Sequence, residues 1–301
     1  MGSKVVFMKI LLTGRDGQVG FALHKKLISL GKVFATNRQT LNLTNFNEIK
    51  AFVEIIKPDI IINAAAYTKV DQAESESVLA YQINAEAPKA LAEKALELDI
   101  PIIHFSTDYV FDGLKNNPYL ETDLTNPQSV YGKTKWEGEE VIRQYKKHII
   151  LRTSWVFGGH GQNFLKTILK LSQEKTFLNI VSDQIGSPTS ADTLANVTCK
   201  IIKTMFSNPN FKDFGTYHIT LEGETDWYHY TCLIVEEAAR LGLKTNMTPK
   251  AIHAILSHEY PALAKRPMNS RLNMEKIKKT FMLELPHWKD EVKKIIQTLT
   301  H

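Results

Sequence analysis

Five short runs rich in β-branched apolar residues recur through the first half of the sequence: Lys9–Thr13, Val33–Thr36, Ile60–Asn63, Ile102–Ser106 and Ile149–Thr153. Strands almost free of polar residues are what a parallel sheet covered by helices on both faces requires, because both faces of each strand are then buried. The longer amphipathic stretches between them, Gly17–Leu30, Asn45–Ile56, Ser77–Asp99 and Val130–Tyr145, read as helices. Strand and helix in alternation build βαβ units, so the fold class expected is α/β, a Rossmann-type doubly wound parallel sheet.

After Trp155 the alternation loosens. Gly158, Gly159 and Gly161 mark a loop, and a short strand precedes the turn Ser182–Pro188. Asn163–Gln173, Ala191–Met205 and Thr231–Leu241 read as helices, Thr216–Leu221 reads as a strand, and Pro261, Pro267 and Pro286 break the tail. This predicts a dinucleotide-binding Rossmann domain over residues 1–157 and a smaller interleaved C-terminal substrate domain mainly over 158–301, some of whose segments return to the first. The second part would close over the carboxyl edge of the sheet, where open α/β sheets bind ligands.

Composition narrows the partners. The net charge of +5 comes from 37 basic and 32 acidic residues spread along 301 positions, with no Lys/Arg block of the kind that tracks a phosphate backbone. Nucleic acid is not expected as a partner, whereas a modest positive field suits a small anionic ligand. No apolar run approaches the roughly 18–20 residues needed to span a bilayer, so no membrane partner is expected. Cys199 and Cys232 lack CxxC spacing and read as buried free thiols on helices. With no secretory leader pattern ahead of Lys9, the chain reads as cytoplasmic; Met1-Gly2-Ser3 is a tag remnant or an alternative start before Met8.

The stretch Leu11 to Gly20 sets Gly14, Gly17 and Gly20 between the first strand and the first helix, spaced GxxGxxG. In such a turn the first glycine makes the bend, the second lets backbone approach a pyrophosphate and the third lets helix and strand pack closely, with helix N–H groups facing the anion. The end of the second strand, Thr36-Asn37-Arg38, carries no acid for a ribose 2′-hydroxyl and offers Arg38 to a 2′-phosphate, so NADPH is accommodated alongside NADH. Ala64, Ala65 and Ala66, after the third strand, are small enough for a ribose and a flat ring to lie against the backbone. Asn42 and Leu43 fall at the adenine edge.

Tyr131 and Lys135 stand at i and i+4 on one helix face. A phenol is a poor acid or base near neutral pH, but a fixed ammonium nearby stabilises the phenolate and lowers its pKa. Thr107, at the end of the fourth strand, can donate to a substrate carbonyl or tune the tyrosine. Trp155 adds an aromatic plate near the same edge, although by its surroundings alone it reads as core. The ten histidines form no ligand constellation, His253 and His258 reading as solvated surface, so no metal ligands are assigned.

Read together, Asn63–Tyr67 with Val70–Glu74, Ser106–Gly113 (STDYVFDG), Tyr131–Glu139 (YGKTKWEGE), Arg152–Gly158 (RTSWVFG), Ser182–Thr189 (SDQIGSPT) and Arg266–Ser270 resemble the dTDP-4-dehydrorhamnose reductases, extended members of the short-chain dehydrogenases. The similarity runs in order from about Lys9 to the last helix. The resemblance implies NAD(P)H-dependent reduction of the 4-keto group of dTDP-6-deoxy-L-lyxo-4-hexulose, the last step of dTDP-L-rhamnose synthesis. It implies Tyr131, Lys135 and Thr107 as the catalytic triad. Gly17, Gln18, Val19, Asn37, Asn42, Leu43, Ala66, Tyr67, Thr68 and Phe105 fall at its cofactor positions, joined by Tyr131 and Lys135. Thr107, Asp108, Tyr131 and Trp155 fall at its substrate positions, with Arg266 as anion partner of the nucleotide diphosphate.

Asn37 and Asn42 stand where some members carry aspartates, which blurs selectivity for NADH. Some members are described as magnesium-dependent dimers and others are not, so Mg2+ stays open, as does the choice between monomer and homodimer. Two rival readings remain. One is a non-catalytic NADP-binding regulator resembling the β subunit of methionine adenosyltransferase, against which the retained substrate-side strings count. The other is a related nucleotide-sugar epimerase or 4,6-dehydratase; a dehydratase normally has an Asp-Glu pair after the strand-end threonine, where this chain has Asp108 and Tyr109.

Overall fold

The computed structural model describes residues 8–300, and the Met1-Gly2-Ser3 start lies outside them. The elements begin β1 (Met8–Thr13), α1 (Gln18–Leu27), β2 (Gly31–Ala35), α2 (Phe46–Ile56), β3 (Ile60–Asn63), α3 (Val70–Ala73), α4 (Ser77–Tyr81), α5 (Ala87–Glu97), β4 (Ile102–Thr107), α6 (Val130–Arg143) and β5 (His148–Thr153). They continue β6 (Val156–Phe157), α7 (Phe164–Glu174), β7 (Leu178–Val181), β8 (Ile185–Gly186), β9 (Thr189–Ser190), α8 (Ala191–Ser207), β10 (Gly215–His218), β11 (Thr225–Asp226), α9 (Trp227–Arg240), β12 (Ile252–Ile255), α10 (Glu275–Phe281) and α11 (Trp288–Thr300).

Six strands form the main sheet in the order β2-β1-β3-β4-β5-β10, every neighbouring pair parallel. All five expected strands are in it. The strand expected over Thr216–Leu221 is the sixth, extending the sheet beside β5 rather than standing apart from it. Successive side chains point to opposite faces of a strand, and the apolar runs divide accordingly. Ile10, Leu12, Ile62, Ile103 and Leu151 pack with α1 and α8 on one face. Leu11, Ile61, Ile102 and Ile150 pack with α2, α5 and α6 on the other. Each of these fully buried side chains contributes roughly 1.5–3 kcal/mol relative to exposure. A third core joins α7, α9 and α11 around Leu165, Tyr230 and Trp288.

Strand order reverses between β1 and β3, since α1 leads outward to β2 on one side and the chain then returns to the other. Loops leaving the carboxyl ends of these two strands diverge and leave a crevice between them. Helix starts are fixed by side-chain caps: Asn45 accepts from Glu48 N, Ser129 from Gly132 N and Asp226 from His229 N. The Asp226 cap starts α9 four residues ahead of the expected Thr231.

The single helix expected over Ser77–Asp99 is interrupted. Residues Gln82–Glu86 form a π turn in which the Ala87 N–H donates to Gln82 O, five residues back. Pro88 has no N–H to give the Asn84 carbonyl. A β-carbon on Gly138 of α6 would stand 2.1 Å from that carbonyl oxygen, so α6 packs directly on the bulge. Both cysteines are free and lie on helices, α8 and α9, but they are half-buried rather than buried, each at the margin of a core. Among the described residues no helix is long and apolar enough to cross a membrane.

Candidate active site

A cleft of about 770 Å³ opens at the reversal point, walled by the segments that follow β1, β3, β4 and β5. At one end is the turn after β1. Gly14 has φ +75°, and a β-carbon on it would stand 2.7 Å from the Ala65 backbone, so the two main chains lie in contact. A β-carbon on Gly20 would meet Gly14 O at 2.0 Å, so α1 seats on the turn only because that position has no side chain. Gly17, Gln18 and Val19 line the cleft beside it, and Gly20 lies behind the wall.

The edge beyond β2 holds Asn37, Arg38 and Leu43. Asn42 is not on the wall; its side-chain oxygen accepts from Thr44 N at 3.0 Å and so shapes the loop. The structure also brings an acid to this edge. Asp16, from the glycine turn, accepts from Asn37 Nδ2 at 2.8 Å, a hydrogen bond that holds its carboxyl below the ordinary range. The strand end carries no carboxylate, yet the cleft has one beside Arg38, supplied across 21 residues of chain.

After β3, Ala64, Ala65, Ala66 and Thr68 line the cleft. Tyr67 turns away from it, donating its hydroxyl to Glu76 at 2.7 Å. The Tyr67 backbone is clamped by Asn84 of the π turn, whose Oδ1 accepts from Tyr67 N at 2.8 Å and whose Nδ2 donates to Thr134 Oγ1 at 3.1 Å. The bulge thus ties the alanine segment to the helix that bears Tyr131 and Lys135, the kind of site use for which π turns are frequently found.

Thr107, Tyr131, Lys135, Phe105 and Trp155 all line the cleft. Burial pushes the Tyr131 phenol up to about 12, the Thr107 hydroxyl pulling it down and Asp108 pushing it up. This differs from the expectation that Lys135 lowers it. The Lys135 Nζ is directed at β4 instead, donating to Phe105 O at 2.6 Å with His104 Nε2 at 3.2 Å. Burial brings Lys135 down to about 8, opposed by Glu139 one turn further along α6. Glu139 is itself wholly buried; burial raises its carboxyl, but the guanidinium of Arg152, bonded at 2.6 and 2.8 Å, together with that of Arg143 one turn along α6, more than offsets this and leaves it below the ordinary value.

Asp108 and Arg266 are not on the wall. Asp108 lies just behind it, 2% exposed, accepting from Thr107 Oγ1 at 3.0 Å, and burial raises its carboxyl to about 6. Arg266 forms a two-bond ion pair with Asp71 at 2.7 and 3.2 Å. Tyr109 does line the cleft, its ring edge-on to Tyr131 at 5.3 Å. Trp155 has φ +47° and stacks on Trp227 at 3.6 Å, so it is a held wall rather than core filler. Ser106 and Thr153 also line the cleft, and among the described residues the buried Thr153 hydroxyl has no hydrogen-bond partner.

Residue reading passed over Asp16, Asn84, Tyr109, Ser106, Thr153 and His104. His104 had a visible signal, a lone polar residue inside the apolar run Ile102–Phe105. Among the described residues no group of three or more His, Cys, Asp or Glu side chains is placed to hold a metal ion.

Comparison with known proteins agrees with this architecture. Residues 8–301 match the RmlD substrate binding domain family. The dTDP-4-dehydrorhamnose reductase of Escherichia coli K12 is 43% identical over 297 residues, 97% of this chain and 98% of that protein. A crystal structure of a dTDP-4-dehydrorhamnose reductase from Clostridium acetobutylicum superposes with a TM-score of 0.90 at 38% identity, covering 98% of this chain and all of that one. Another from Bacillus anthracis, in complex with NADP, gives 0.88 at 32% identity over 97% of this chain and all of that one. With the glycine turn, the Tyr131 and Lys135 wall and near full-length similarity in hand, the chain belongs to the dTDP-4-dehydrorhamnose reductase family.

Proposed function

We propose that this chain reduces the 4-keto group of dTDP-6-deoxy-L-lyxo-4-hexulose to give dTDP-L-rhamnose, the last step of dTDP-rhamnose synthesis, with NADPH or NADH. The observation that carries this reading is that Thr107, Tyr131 and Lys135 line the same cleft as the Gly14 turn. The bare backbone at Gly14 and Ala65 fits a dinucleotide pyrophosphate, which the N-terminus of α1 would face through Gly17, Gln18 and Val19. Asn37, Arg38 and Leu43 would hold the adenosine end. Ala64, Ala65, Ala66, Thr68 and Phe105 would hold the nicotinamide side, with Tyr131 and Lys135.

When bound, the reduced nicotinamide supplies the hydride. The chain supplies the proton and the charge balance. With its pKa at about 12, Tyr131 keeps its proton at working pH and yields it to O4 as that oxygen gains alkoxide character. The phenolate left behind is relieved by the Thr107 hydroxyl, while Lys135, tied to Phe105 O, would hold the cofactor beside it. Trp155 would carry the sugar and Asp108 would act from behind Thr107, while Arg266 serves by holding Asp71 and the loop beside Tyr109. The division of labour is residues 1–157 for the cofactor and mainly 158–301 for the substrate, supported by the separate core around Trp288 and by Trp227 backing Trp155.

The test is loss of absorbance at 340 nm when protein, NADPH or NADH, and the enzymatically generated keto sugar are mixed, with magnesium or with EDTA. Consumption matching the rhamnosyl nucleotide formed supports the reductase, ranks the cofactors and reads the metal requirement. Silence from folded protein that binds NADPH overturns it and favours the regulator. Sedimentation of the same preparation distinguishes monomer from homodimer.

A further inference from the structure

Lys135 is held by a group that the reductase reading does not use. Thr13, Asn63 and His104 are register partners on β1, β3 and β4, so they form a single polar row across three adjacent strands. The row lies on the face covered by α6, and its last member meets Lys135: Thr13 Oγ1 to Asn63 Oδ1 is 2.6 Å, Asn63 Nδ2 to His104 Nδ1 is 3.0 Å and His104 Nε2 to Lys135 Nζ is 3.2 Å. None of the four is more than 2% exposed, so their hydrogen bonds must be made to protein groups rather than to solvent.

Counting protons decides how the row is wired. Burial first, and the Lys135 charge second, hold the His104 ring neutral, with one N–H and one accepting nitrogen. An ammonium has three donors and no lone pair, so Nε2 must accept from Lys135 and the ring proton must sit on Nδ1. A proton on Nδ1 needs an oxygen opposite it. Asn63 turns Nδ2 toward the ring in this conformer, which would set two donors face to face. A half-turn of the amide, which leaves its shape unchanged, presents Oδ1 to the ring and the NH2 to Thr13 Oγ1, and every contact is then a donor on an acceptor.

The consequence falls on Lys135. Phe105 O and His104 Nε2 take two of its three tetrahedral N–H groups, which stops rotation about Cε–Nζ and leaves one N–H for the cleft that Lys135 lines. We propose that His104, held as the Nδ1–H tautomer by Asn63 and Thr13, is a positioning residue that fixes the Lys135 ammonium so that its one uncommitted N–H faces the cleft. Its effect on turnover rests on the reductase reading; its wiring does not.

Two measurements test this. In protein labelled with 15N in the histidine rings, with His104→Gln used to assign the signal, His104 is expected as a neutral Nδ1–H ring at about pH 7. An Nε2–H ring or an imidazolium overturns the wiring. In the 340 nm assay His104→Phe, which offers no acceptor, is expected to lower kcat by roughly 10- to 100-fold with KM for the keto sugar within about 2-fold. His104→Gln, with an amide oxygen for Lys135 and an N–H for Asn63, is expected to recover most of that loss. Equal loss in both variants, or none in His104→Phe, overturns the positioning role. Should His104→Phe not fold, the wild-type tautomer and the His104→Gln rate decide. Inactive wild-type protein with an Nδ1–H ring overturns the reductase reading and supports the wiring; active protein with an Nε2–H ring does the reverse.

Discussion

A β-carbon placed on Gly14 would stand 2.7 Å from the α-carbon and the nitrogen of Ala65, so the turn after β1 and the segment after β3 touch main chain to main chain. That contact puts bare backbone at the floor of the cleft, and the φ of +75° at Gly14 disfavours any other residue there. Gly14→Ala is expected to cost about 1–3 kcal/mol of stability, through strain at a left-handed position, and to weaken NADPH binding at least tenfold. Chemical denaturation and NADPH fluorescence titration check the two effects; unchanged affinity would show that the cofactor does not reach this turn.

Tyr131→Phe removes the phenolic proton and leaves the ring packed against Tyr109. The expected result is a kcat lower by roughly 100- to 10,000-fold, with the NADPH dissociation constant within about 2-fold. Comparable losses in rate and cofactor affinity would mark the tyrosine as structural.

Arg38 and Asp16 place opposite charges on the lining of the cleft, where the proposed reading puts the adenosine. Arg38→Ala is expected to raise KM for NADPH by about 10-fold or more, the scale of a charged hydrogen bond to phosphate, and to leave KM for NADH nearly unchanged. Asp16→Asn is expected to shift preference toward NADPH. If Arg38→Ala affects both cofactors equally, Arg38 does not meet a 2′-phosphate.

Asp108 titrates in a direction that lowers stability. Its carboxyl is raised from 3.8 to about 6 by burial, so the folded protein binds the proton more tightly than the unfolded chain. Its contribution is fully present below pH 3.8 and is lost as pH rises through about 6. The stability of Asp108→Asn relative to wild type is therefore expected to rise by on the order of 2–3 kcal/mol between about pH 4 and pH 7, and to be flat above. Urea denaturation of both proteins at several pH values checks it; a pH-independent difference would mean that Asp108 ionises normally.

The Glu139 and Arg152 pair behaves in the opposite sense. Glu139 is held below its ordinary 4.5, so its stabilisation is present above that pH and is lost as pH falls through the lower folded value. Arg152→Leu removes the buried guanidinium and leaves the wholly buried Glu139 carboxylate only its partly exposed partner Arg143, and a loss of up to about 3–5 kcal/mol is expected at neutral pH, measured by denaturant melts. A loss below about 1 kcal/mol would mean that Arg143 alone satisfies Glu139 or that the carboxyl takes up a proton at little cost.

Most of the local framework was readable from the order of residues, although the π turn at Gln82–Glu86 and the early start of α9 were not. The apolar runs specified five strands because burial on both faces leaves no room for polar side chains. Gly14 and Gly20 marked the turn because only glycine tolerates its contacts, and spacing alone put Tyr131 and Lys135 on one side of α6. Tertiary structure decided which charges and hydroxyls meet. It brought Asp16 to Asn37, turned Lys135 onto β4 and away from Tyr131, drew Arg266 to Asp71, and made β10 the sixth strand. It also aligned Thr13, Asn63 and His104 in one row. Each of these depends on strand register or on loops converging from segments far apart in the chain, and periodicity carries no information about such distances. The sequence therefore determined the framework and where its chemistry would gather, while the packing of the sheet determined how each group is charged and aimed.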